Sequence, residues 1–97
     1  MISRLDLPHG IRDANIIHAA GESSPGNLPP TTSAVSLTCP DEAALATLGK
    51  LLSAAGVRHR AIVESTGPYA GQLMALGIAP CAKKEVRRFL SALPLSV

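Results

Sequence analysis

The chain has few aromatic residues: its 97 positions hold no tryptophan, one tyrosine (Tyr69) and one phenylalanine (Phe89). That argues against the stacking platforms by which many single-strand-binding folds hold bases. It has two cysteines, Cys39 and Cys81, far apart and in no C-x-x-C pattern. Zinc is therefore a poor fit, and no other metal or cofactor motif is present. No apolar run approaches the ~20 residues of a membrane span, and no basic stretch leads into a long apolar segment. The expected compartment is the cytoplasm, where both thiols stay reduced. Charged residues are only 16% of the chain and apolar residues 46%. That composition argues against disorder and for one core in one domain spanning 1–97.

What is present reads as alternating helices and strands. A strand stub near Ile2–Leu5 precedes Pro8, which suits a helix start. Ile11, Ala14, Ile17 and His18 recur at helical spacing, and Gly21 suits the helix end. A Gly/Ser/Pro-rich loop follows over 21–33; loops of that length commonly carry function. Val35 and Leu37 alternate with polar residues, predicting a strand over 34–38. Pro40, Asp41 and Glu42 open the clearest helix, with Leu45, Leu48, Leu51 and Leu52 on one face and Gly56 as its stop. Strands are predicted over 59–64 and 71–78, close enough in sequence to pair antiparallel. A last helix over 82–93 places Val86, Phe89, Leu90 and Leu93 on its inner face. Strands separated by a helix tend to be parallel. The expected architecture is α/β: a mixed sheet with helices packed on its faces.

Several segments, in this order, resemble the type II peptidyl-tRNA hydrolases. Arg4-Leu5-Asp6-Leu7 is similar to the R-x-D-L segment before that family's first helix, and His18-Ala19 falls at its His-Ala. Pro40-Asp41-Glu42 opens a helix as in the family, and Leu76-Gly77-Ile78-Ala79-Pro80 looks like its closing strand. The resemblance implies hydrolysis of the ester between peptide and tRNA, without metal or cofactor. It also brings departures. The family's catalytic Lys falls on Ile11, its Gln on Asn15, its Asp on Glu64 and its Thr near Met74, with Gln72 as a polar neighbour.

The candidate catalytic residues are His18, Asn15 and Glu64. A histidine or carboxylate can activate water, and an amide can hold an oxyanion. Asn15 and His18, three apart on a helix, are expected on one face. The competing reading is a satisfied helix histidine among ordinary polar residues. Lys83, Lys84, Arg87 and Arg88 are the candidate RNA-binding residues: four of nine basic residues within six positions. Lys83 and Lys84 stand at a helix start, where cations are unfavourable by ~0.3–1 kcal/mol each. That placement suits phosphate contact, although a solvated face is the commoner use of such residues. Cys81 reads as a small buried residue, or as a thiol acidified by the neighbouring lysines. Three functions stay open: a peptidyl-tRNA esterase, a non-catalytic RNA-binding relative, and an interaction module that keeps only the fold. A homodimer would cover the surface left by a shortened first strand.

Overall fold

A computed structural model describes residues 1–96. Its elements are β1 (Ile2–Arg4), α1 (His9–Ser23), β2 (Leu37–Cys39), α2 (Glu42–Ala54), β3 (His59–Val63), β4 (Leu73–Ile78) and α3 (Lys83–Leu90). The strands form one sheet in the order β2-β1-β4-β3. β1 and β2 are parallel, as expected across a helical connection, and β4 is antiparallel to both β1 and β3. The α/β mixed sheet with packed helices is thus the observed fold.

The three-residue β1 is a full member of this sheet. It lies between β2 and β4, and Ile2 and Ser3 are buried. The exposed slot expected from a shortened strand is absent, and with it the stated reason for a homodimer. β2 begins later than expected, at Leu37, which pairs with Ile2 and whose N–H donates to Met1 O at 2.8 Å. Upstream of that bond Val35 O accepts the Met1 ammonium at 2.9 Å, while the Val35 side chain stays exposed. The far side of β2 meets the C-terminal tail, where Leu37 bridges Leu95. β4 begins at Leu73 because Gly71, at φ 83°, completes a turn closed by Gly71 N–H to Glu64 O.

α2 is the helix that periodicity described. Asp41 caps it, its carboxylate accepting Ala44 N–H at 2.9 Å, so Pro40 sits one residue before the cap. Leu45, Leu48 and Leu52 are buried against Ile2, Leu37, Cys39 and Leu76, while Leu51 stands half exposed on the flank. Gly56, at φ 72°, ends the element. α3 is shorter than expected, but Val86 is buried and Phe89, Leu90 and Leu93 pack against the core.

α1 is where the expected face fails. It buries Arg12, Asn15 and Ala19 and leaves Ile17 72% exposed. It also runs through Gly21 to Ser23. The cause lies in the sheet: a Cβ added at Gly77 would stand 2.2 Å from Ala19 O. Only a small residue on the helix and a glycine on β4 permit that approach, so the tightest contact, not hydropathy, sets the rotation of α1.

Candidate nucleic-acid interface

The expected catalytic residues are spread along the sheet. Asn15 is buried, and its amide donates to Ile11 O at 2.9 Å within its own helix. His18 is exposed. The two are neighbours on the helix surface as the spacing implied, but one is turned into the protein and the other to solvent. Ala19, next to His18, sits at Gly77, near one end of β4. Glu64 pairs with Gln72 at the other end, its N–H donating to Gln72 O at 3.0 Å. Five residues of strand, at ~3.3 Å each, separate those levels by roughly 16 Å. The structure does not bring His18 and Glu64 together. Counting back along α1 at ~1.5 Å per residue puts Ile11 about 12 Å from Ala19, level with the start of β4. That is the Glu64 end of the sheet. The aliphatic Ile11 thus occupies the level at which the resemblance implies a lysine.

The same end holds a polar cluster that spacing alone did not disclose. Arg4, 5% exposed at the end of β1, makes a bidentate pair with Asp6 (Nε–Oδ1 2.9 Å, Nη2–Oδ2 2.8 Å). Its Nη1 donates to Gln72 Oε1 at 2.8 Å and to Leu73 O at 3.1 Å. The β3–β4 register slips here: Ile62 faces Ala75, while Val63 faces Leu73. Leu73 N–H turns instead to Glu42 Oε2 at 2.7 Å. A bulge that re-aims backbone groups has thus been met by one arginine and one glutamate from other elements. Arg4 holds the Asp6 carboxyl below the ordinary carboxylate range, and Asp6 raises the Arg4 guanidinium. Every atom of Arg4 cited is already paired within the protein, so the cluster braces the fold. The signal in the sequence was R-x-D with Gln72, but their joining needed the bulge.

At the opposite end lies α3. Lys83, Lys84, Arg87 and Arg88 are all exposed, as a solvated or anion-binding face requires. Glu85 Oε2 accepts Ala82 N–H at 3.0 Å, which fixes the helix start just before the two lysines. The structure adds partners the sequence separates widely. Arg58, His59 and Arg60 at the start of β3 line one groove with Arg88, of about 760 Å³. Two acids also line it, Glu22 and Glu85. His59 Nδ1 lies 2.9 Å from Val57 O, consistent with that nitrogen carrying the proton. The chain there could have been found from topology alone, since β3 and α3 both begin at this end of the sheet.

Cys81 departs from both expectations. It is exposed, and its thiol is pushed up rather than acidified, by local desolvation first and by Glu85 second. Cys39 is buried, and desolvation raises its thiol as well. Among the described residues no three His, Cys, Asp or Glu side chains group as metal ligands, and no helix is long and apolar enough to cross a membrane. No protein-family model matches the chain, and no curated protein matches it.

Proposed function

We propose that the chain is a non-catalytic, RNA-binding relative of the type II peptidyl-tRNA hydrolases, holding a tRNA phosphate backbone against β3 and α3. The observation that carries this reading is the convergence of Arg58, Arg60 and Arg88 on one groove, with Lys83, Lys84 and Arg87 exposed on the same helix. Three arginines outnumber the two acids of the groove, and Glu85 is occupied by the cap. With so few aromatic residues, contact would be to phosphates rather than stacked bases.

The test is tRNA binding across a salt series. The variant Arg58→Gln/Arg60→Gln/Arg88→Gln is expected to bind more weakly and to lower the slope of log K against log salt by about 2–3. An unchanged affinity and slope would remove the reading.

Hydrolysis of peptidyl-tRNA is the second reading, favoured by one observation: Glu64 and Ile11 both lie at the end of the sheet where β4 begins. The group missing there is the cation, and one such donor is worth roughly 2.7–4 kcal/mol in a transition state. Ile11→Lys is expected to leave the chain inert toward labelled peptidyl-tRNA if it only binds. Release that appears with Ile11→Lys and disappears with Glu64→Gln would favour the esterase.

A further inference from the structure

α3 stands between two grooves at one end of the sheet, and the RNA reading rests on only the first. The second, of about 670 Å³, lies between α3 and the irregular segment 24–35. That volume falls within the roughly 300–1,000 Å³ of small-ligand sites. Leu28 and Val35 from the segment, Ile78 from β4, and Val86 and Leu90 from α3 supply apolar walls. Leu28 is 45% and Val35 43% exposed, so both spend apolar surface on water when the groove is open. Among the described lining residues, Lys83 and Arg87 are the only charged side chains. They are four apart and therefore adjacent on the helix surface. Lys84 lines neither groove. The Met1 ammonium also lines the second groove but is engaged by Val35 O at 2.9 Å. An apolar trough with two side-chain cations at one side and no carboxylate is complementary to an apolar chain that ends in a carboxylate.

We infer that this groove binds a free single-chain acyl carboxylate. The chain lies along Leu28, Val35, Ile78 and Leu90, and the carboxylate is held by Lys83 and Arg87. The guanidinium offers a paired contact and the ammonium a point charge. Binding removes the apolar surface of segment 24–35 from water and so orders that segment. The RNA reading rests on the groove of Arg58, Arg60 and Arg88 and shares with this one only the exposed cations Lys83 and Arg87, so the tRNA variant Arg58→Gln/Arg60→Gln/Arg88→Gln leaves the second groove intact.

Calorimetric titration of the full chain with dodecanoate, dodecanol and dodecyltrimethylammonium, each below its micellar concentration, tests it. One dodecanoate per chain is expected, bound at least about tenfold more tightly than the cationic amphiphile. Lys83→Gln/Arg87→Gln is expected to remove that preference, and Lys84→Gln to retain it. Leu28→Asp, at an exposed position, is expected to abolish uptake without lowering Tm. Amide exchange over 28–35 should slow in the bound state. Equal affinity for both charged amphiphiles, a preference that survives loss of Lys83 and Arg87, or no uptake below the micellar concentration would each overturn the inference. Displacement of dodecanoate by an acidic amphipathic peptide that binds more tightly would also overturn it, assigning the groove to a protein partner.

Discussion

Gly77 and Ala19 form the contact on which α1 is seated. An ideal Cβ at Gly77 would lie 2.2 Å from Ala19 O and 2.9 Å from Ser23 Oγ. The first neighbour is backbone and cannot rotate away. Gly77→Ala is therefore expected to push α1 off the sheet and to destabilise by at least ~1–3 kcal/mol, the usual range for overpacking. For a chain of this size that is roughly 4 °C or more in Tm. Asp6 is a second point where one side chain decides a local outcome. Its carboxyl is held low by Arg4, so its contribution is present above the unfolded value of about 3.9 and fades as pH falls through the folded value. Asp6→Asn is expected to cost about 1–2 kcal/mol at pH 7, near the low end for a charged hydrogen bond because Asp6 is 41% exposed. Urea unfolding at pH 7 and at about pH 2.5 checks the sign. The gap between wild type and variant should narrow at the lower value.

The helices differ in how far their sequences describe them. In α2 the periodic leucines and the buried ones coincide, except at Leu51, because a broad apolar face packs on the sheet and its edge residue is left on the rim. Leu52→Ala is expected to cost ~2–5 kcal/mol and Leu51→Ala less than about 1, by denaturant midpoint at constant m. In α1 the same reasoning selected Ile17, which is exposed, and passed over Arg12 and Asn15, which are buried. Hydropathy ranks residues by transfer from water, but Ala19 is seated by steric closeness to a glycine on a strand far along the chain. Asn15 and His18 are neighbours on the helix surface, but the rotation of α1 buries the first and exposes the second, which their spacing does not encode. On α3 the four basic residues are exposed, because charged residues on a short amphipathic helix leave only one side for Val86 to face inward.

For the molecule as a whole, the placement of ends matters more than any single motif. Glu64 and the arginine-lined groove lie at opposite ends of β4, so the residues of the two proposed readings are not brought together. Among the described residues no strand pairs with the outer side of β3. That edge carries Arg58 and Arg60 and ends at the register slip, features that oppose edge-to-edge addition of a second copy. The chain is expected to run as a monomer in sedimentation at low salt. A dimer that dissociated on Arg60→Glu would contradict this.

By itself, the sequence determined the α/β class, the order of elements, the capped and leucine-faced α2, and the basic exposed surface of α3. Each follows from interactions a few residues apart: helical spacing, an aspartate cap, a glycine at positive φ. Only the tertiary structure decided which face α1 buries, that a three-residue β1 is central, and that Arg58 and Arg60 join Arg88. It also decided that Arg4 draws Asp6 and Gln72 into one cluster and that His18 stands far from Glu64. Those outcomes depend on register and on close approach between distant segments, which local periodicity does not encode.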